Sequence, residues 1–322
     1  MAAPRQNAQA MMHAAPQRAM DTRGRPFEND RSPAASSAGG TQAMDLSVLY
    51  RDAFLAIVDK PAGLMVHDSA LARGETDFAA DRLREQFGCP IFLVHRLDRA
   101  TSGCLLLAFD RDTASALGRM VMANGLDSGV DEEAQSARIF EKDYLAVCRG
   151  WPEPHFVVDH PLDGGPGKPV KKPAITEFEC LATTELAIAS QGFATSRYAL
   201  LRARPHTGRF RQIRRHLKHM SHHLIGDTSH GDGRHNRSFR MLGIHRMLLH
   251  AERLAFVHPV TGSRVCAIAP LDVQLALALA LFETRDATGP GLDQLQGSPY
   301  QVPVAGGASG SNWPGPDSPD CG

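Results

Sequence analysis

Short apolar runs separated by polar breaks recur from residue 48 to residue 282, and most have the length of a strand. Residues 48–50 and 54–58, split by Arg51-Asp52, predict a hairpin that stops at Lys60-Pro61, where proline ends the pairing. Residues 91–94 and 104–109 bracket a polar loop and predict two buried strands or a strand pair. Residues 143–149 alternate as a strand does, with Tyr144, Ala146 and Cys148 on one side and Leu145 and Val147 on the other. Further strands are predicted at 175–181 and 196–202. A hairpin is predicted from 254–257, the turn Thr261-Gly262, and 264–268.

Helical spacing replaces alternation in four places. Residues 76–88 place Ala80, Leu83 and Phe87 on one face, with Thr76 or Asp77 as cap and Gly88 as terminator. Residues 113–123 repeat this with Ala114, Leu117 and Val121 inward and Gly125 closing. From Arg209 onward, Phe210, Ile213 and Leu217 form a stripe, Arg211, Arg215 and Lys218 lie to one side, and Arg214 falls ~40° from Phe210. Asp272 caps a last helix that turns Leu275, Leu279 and Phe282 to one face.

Composition bounds this pattern. Of 322 residues, 43% are hydrophobic, enough for a globular core; no apolar run nears the ~20 residues of a membrane span. Residues 1–43 and 287–322 are rich in small and polar residues without periodicity, so both are expected to be disordered tails around a domain at 44–286. The first twenty residues carry arginines and no acid, as transit peptides do, but show no convincing amphipathic helix. Residues 126–137 are polar and acidic and are expected to be an exposed insertion. The cysteines lack any C-x-x-C pair and mostly sit in apolar runs, which predicts buried free thiols and a reducing, cytoplasmic setting.

The formal charge is zero, but residues 202–219 contain no acid. That stretch is either a solvated cationic face or a phosphate-tracking surface with Arg214 held inward. His216, His219, His222, His223, His230 and His235 crowd nearby and invite a metal, with Asp227 or Asp232 completing the set. The surrounding Arg and Lys disfavour a dication, and no H-E-x-x-H is present, so no metal is expected. Asp98, a lone acid between Arg96 and Arg99, sits in the loop that joins two apolar runs. By its position it is a nucleophile, a general base or half of an ion pair.

His95-Arg96-Leu97-Asp98 followed by Thr101-Ser102-Gly103 resembles the signature of the pseudouridine synthases of the RluA type. Lys142-Asp143-Tyr144-Leu145-Ala146, Thr207-Gly208-Arg209, Gln212-Ile213-Arg214, Ile225-Gly226-Asp227 and Leu249-His250-Ala251 resemble further blocks of that family, in the same order. Together they span most of residues 48–270. The resemblance implies an α+β fold: an extended, largely antiparallel mixed sheet with flanking helices and a central catalytic cleft. It implies an isomerase that converts uridine to pseudouridine in structured RNA without cofactor or metal, acting as a monomer away from membranes.

The same resemblance assigns Asp98 as the catalytic carboxylate, Arg214 as its partner, and Tyr144 as the ring on the uracil and an aid to proton transfer at C5. Arg96 then holds the base out of its helix and Ile213 walls the pocket. Arg209, Arg211, Arg215 and Lys218 are expected on the RNA side; Arg211 departs from the histidine usual in relatives. Residues 224–237 look most like the branch that modifies uridine 65 in the T stem of tRNA. Arg234, His235 and Arg237 are expected there on a Gly-rich loop along the RNA backbone. Ribosomal RNA is the alternative substrate, and a non-catalytic RNA-binding protein the alternative function.

Overall fold

The computed structural model describes residues 45–68, 74–123, 140–190 and 192–282. The expected tails at 1–43 and 287–322, the terminator Gly125 and the insertion at 126–137 lie outside the described residues. The first hairpin forms as expected from β1 (Val48–Arg51) and β2 (Leu55–Lys60). The apolar runs around Asp98 become β3 (Phe92–Leu93) and β4 (Ser102–Ala108), an antiparallel pair. The longer strands follow: β5 (Phe140–Arg149), β6 (His155–Asp159), β9 (Ile175–Leu186), β10 (Ser196–Pro205), β11 (Leu249–Val257) and β12 (Arg264–Ile268). A small ribbon of β7 (Leu162–Asp163) and β8 (Lys171–Lys172) forms a separate two-stranded sheet.

The large sheet is ten-stranded, in the order β1-β2-β4-β11-β5-β10-β9-β6, with β12 on β11 and β3 on β4. Its pairings are antiparallel except that of β4 with β11, where Ser102 faces His250 and Gly103 faces Ala251. This parallel contact lies just after the Asp98 loop. Gly103 has φ +105, and a Cβ there would stand 2.2 Å from the Ala251 carbonyl oxygen, so the strands meet this closely only with glycine.

The alternation of β5 divides the core as its sequence predicts. Tyr144, Ala146 and Cys148 join one cluster with Val58, Leu105, Leu107 and Leu201. Leu145 and Val147 join another, with Tyr198 and Leu200. Helix α1 (Ala79–Phe87) contributes Leu83 to the Tyr144 cluster. Helix α2 (Arg111–Ala123) packs Leu117 into a third cluster with Leu106 and Phe256. Helix α3 (Gln212–His219) returns to the Tyr144 cluster with Ile213 and Leu217. Helices α4 (Gly233–Met241) and α5 (Val273–Ala280) bring Phe239 and Leu275 to the Leu145 cluster. Among the described residues no helix is long and apolar enough to cross a membrane.

The structure departs from the sequence expectation at several places. Helix α1 starts at Ala79, and neither Thr76 nor Asp77 caps it. The amides of Ala79 and Ala80 instead donate to the carbonyls of Met65 and Val66, so backbone from an earlier turn satisfies the helix start. Helix α3 starts at Gln212, not Arg209, because Arg211 adopts the left-handed conformation at φ 51. Its preceding turn is held by Gln212, whose Oε1 accepts from Arg209 N and from the Thr207 hydroxyl. Among the described residues, Cys89, Cys104, Cys148 and Cys180 are free thiols, as expected, with Cys104 and Cys148 buried.

Candidate active site

The loop from β3 to β4 is tied down at several points. Thr101 N donates to Asp98 O, and Arg99 exchanges bonds with Gly63, accepting from its amide and donating to its carbonyl. Lys60, fully buried, donates through Nζ to the carbonyls of Pro61, Leu64 and Arg99, joining the end of β2 to the loop. Burial and the charge of Arg246 lower the Lys60 pKa to about 7. On the far side, Ser102 donates to His250 Nδ1 at 2.7 Å and accepts from Arg246 Nη2 at 2.8 Å. His250 Nε2 donates to Ala269 O, which completes a buried polar chain across the parallel strand contact.

Asp98 meets Arg214 across 116 residues of sequence, with Nη1 donating to Oδ2 at 2.6 Å. The inward placement of Arg214 is as expected: its side chain is 7% exposed, against 26% for Asp98. Asp227 takes the other edge of the guanidinium, with Nε 2.7 Å from Oδ2 and Nη2 2.8 Å from Oδ1. Burial works against the Arg214 charge, yet bonds to Asp227 and Asp98 outweigh it and raise the pKa. Asp227 is likewise opposed by burial. Arg214 and the amides of His230 and Ser229 nevertheless hold its carboxyl below the ordinary range.

Tyr144 on β5 is 9% exposed and shares an apolar cluster with Leu97 and Ile213. Burial, then the neighbouring Cys104 and Asp98, push its phenol pKa up, so Tyr144 keeps its proton at neutral pH. Asp98, Arg214, Tyr144 and Ile213 are therefore gathered from a loop, a helix and a strand that the sequence separates widely. A cavity of about 830 Å³ opens beside Arg214, lined in part by Ala100, Ser102, Thr228 and Arg246.

The basic residues divide. Arg96 is exposed, and its charge adds to burial in lowering the pKa of His67. Lys218 and Arg237 are exposed, and Arg234 is 58% exposed. Arg209 donates to Pro173 O, and Arg211 lies over the Phe210 ring at 4.8 Å. Arg215 is not a solvent-facing cation: it donates to Asp163 O at 3.0 Å and Oδ2 at 2.7 Å, clamping α3 to β7. Nor do residues 233–237 form a loop. They begin α4, capped by Asp232, and His235 turns inward, 2.8 Å from the Tyr198 hydroxyl.

The other histidines scatter as well. His216 is buried against Thr176 and His160 O, His222 bonds Arg149 O, and His219 stacks on His160 at 3.9 Å. Among the described residues no group of three or more His, Cys, Asp or Glu could hold a metal. In the sequence, Asp227 reads as part of a family block and as a candidate metal ligand, and its hold on Arg214 is missed. One signal is present: Asp227 is the first acid after Glu185, hence the nearest carboxylate downstream of the basic stretch.

Comparisons with known proteins identify the family. The family model described as RNA pseudouridylate synthase matches residues 55–219. A Vibrio cholerae protein named tRNA pseudouridine synthase C is 40% identical over 237 residues, covering 70% of this chain and 91% of the relative. A Pasteurella multocida protein of the same name is 38% identical over 250 residues, covering 74% and 97%. The solved structure of human RNA pseudouridylate synthase domain containing 1 shares the fold at a TM-score of 0.54 and 22% identity, covering 84% of this chain and 100% of that one. The chain belongs to the RNA pseudouridylate synthase family, in its RluA-type branch.

Proposed function

We propose that this protein converts uridine 65 in the T stem of tRNA to pseudouridine, with Asp98 as the catalytic carboxylate. The observation that carries the reading is the meeting of Asp98, Arg214 and Tyr144 at one place from three remote segments. The reaction breaks the C1′–N1 glycosidic bond, turns the uracil and joins C1′ to C5; the C5 proton leaves and N1 gains one. Asp98 acts either as nucleophile or as base at the ribose. Arg214 engages its Oδ2, which leaves Oδ1 for the substrate.

Tyr144, protonated at neutral pH, packs on the uracil ring and assists the proton transfer at C5, in which solvent takes up the C5 proton and supplies the one that N1 gains. Leu97 and Ile213 extend that apolar wall, which retains the base once it is detached. Arg96 holds the target base out of its stack, a step costing a few kcal/mol. Arg209, Arg211, Lys218, Arg234 and Arg237 contact phosphates, so recognition of the stem rests on shape and charge. Arg215, already bound to Asp163, serves the scaffold.

The choice of tRNA rests on the likeness to proteins named tRNA pseudouridine synthase C, which covers 91% and 97% of the two relatives. Mapping pseudouridine in RNA from cells lacking the protein tests this, with complementation by wild type and by Asp98→Asn. Loss at tRNA position 65, restored only by wild type, is the expected result. Loss confined to ribosomal RNA would overturn the substrate and spare the chemistry.

A further inference from the structure

The guanidinium of Arg214 has two edges that can each grip a carboxylate with a pair of parallel N–H bonds. Asp227 occupies one edge fully, through Nε and Nη2. The end edge, formed by Nη1 and the second hydrogen of Nη2, faces Asp98, and there Nη1 alone reaches an oxygen, Oδ2, at 2.6 Å. Were Arg214 free to turn, that end edge could swing into a two-pronged grip on Asp98 that ties up both of its oxygens. Asp227 opposes the turn by fixing the plane and tilt of the guanidinium. Its side chain is fully buried, and Oδ1 also accepts from Ser229 N at 2.8 Å and His230 N at 2.9 Å.

The backbone that carries Asp227 is fixed too. Asn236 in α4 accepts from Gly226 N at 2.7 Å and donates to Asp227 O at 2.9 Å. Gly226 has φ +79, and a Cβ there would lie 2.1 Å from Arg246 O, so this turn is pressed against the segment leading to β11. The path from α4 to the catalytic loop is short and continuous: Asn236, Asp227, Arg214, Asp98.

We propose that Asp227 is a positioning residue for the reaction: by gripping the side edge of Arg214 it fixes the angle of the guanidinium, so that Nη1 alone meets Asp98 and Oδ1 stays open to the uridine, with Asn236 holding Asp227 in register. This rests on Asp98 being the catalytic carboxylate. Asp227 never touches substrate; its effect passes through Arg214, so it acts on turnover and not on RNA binding.

The test is a double-mutant cycle of Asp227→Asn and Arg214→Lys, read by single-turnover tritium release from RNA containing 5-³H-uridine. Asp227→Asn is expected to lower the single-turnover rate about 10- to 100-fold, as a small misplacement of a reacting group does, with RNA Kd unchanged. In the Arg214→Lys background, where no two-edged guanidinium exists, Asp227→Asn should cost no more than about twofold, because coupled residues do not add. Full multiplication of the two losses, a wild-type rate in Asp227→Asn, or a loss confined to RNA Kd would each overturn the proposal. If Asp227→Asn does not fold, Asn236→Ala replaces it in the same cycle, since both carboxylates then remain. A folded Asn236→Ala protein with wild-type rate would overturn the proposal as well. Failure of the parent reading is separate: it would show as turnover by Asp98→Asn.

Discussion

Replacing Asp98 by Asn separates chemistry from stability, and the structure sets the size of each effect. The substitution removes one anionic oxygen from the Arg214 guanidinium. Arg214 still has Asp227 on its Nε and Nη2 edge, so its buried charge remains paired. A hydrogen bond to a charged group is worth ~1.5–3 kcal/mol, and the asparagine oxygen retains part of it. Asp98 is also partly exposed, so water takes up some of the loss. The net cost is therefore about 1 kcal/mol, or about 3 °C in Tm for a domain of this size. The chemical cost is far larger. Without a carboxylate there is neither nucleophile nor base, and turnover should fall by about four orders of magnitude or more. Tritium release, thermal melting and RNA affinity measured on one preparation separate these effects. Substantial turnover by homogeneous Asp98→Asn protein would refute the mechanism. A fall in Tm beyond about 10 °C would refute the argument that Asp227 keeps Arg214 neutralised.

Stability should fall as pH drops from about 6.5 to about 4, because burial holds His216 and His250 at a pKa of about 4, below the ordinary 6.5. In that window the unfolded chain binds more protons than the folded one; chemical denaturation across the range should show the slope, and His250→Gln should reduce it by about one proton. Gly103→Ala should destabilise the fold by about 3 kcal/mol, since its methyl would stand 2.2 Å from Ala251 O; an unchanged melting curve would contradict the contact of β4 with β11. Protein treated with EDTA and assayed on prefolded RNA should keep full turnover, whereas activity lost and then regained with zinc would revive a metal role for the histidines. A fragment of residues 44–286 should fold and turn over RNA as the full chain does; a loss of rate in the fragment would assign work to residues 1–43 or 287–322.

Period and punctuation carry much of the fold. In β5 both faces are buried, so strict alternation sorts Tyr144, Ala146 and Cys148 from Leu145 and Val147. Gly88 closes α1 in the left-handed conformation, and Asp272 caps α5 by accepting from Leu275 N, as their residue types alone suggest. Helix starts are less legible where the partner is remote. The amides opening α1 are satisfied by Met65 and Val66, and no residue near Thr76 announces that. Near Arg209 the spacing of Phe210, Ile213 and Leu217 imitates a continuous helix, but the bonds of Gln212 to Thr207 and Arg209 form a turn there instead.

For the site, the ordered motifs indicate Asp98, Tyr144 and Arg214 and the family to which they belong. An acid-free stretch of sequence cannot say which cations face solvent. Arg214 turns to Asp98 and Asp227, Arg215 to Asp163, while Lys218 stays exposed. These partners are set by which strand and helix ends meet in space, and a side chain of fixed reach pairs with whatever carboxylate arrives there. His235 shows the same limit: its neighbours in sequence are polar and basic, yet it is buried against Tyr198 from β10. The sequence by itself thus determined the faces and the punctuation, because each is a local property of spacing or residue type, while Asp98, Tyr144 and Arg214 became candidate reacting groups through the resemblance of their motifs to a family. Only the tertiary structure decided the pairings of Arg214, Arg215 and His235 and the parallel contact of β4 with β11. Those depend on how distant segments close on one another, and no local period records that closure.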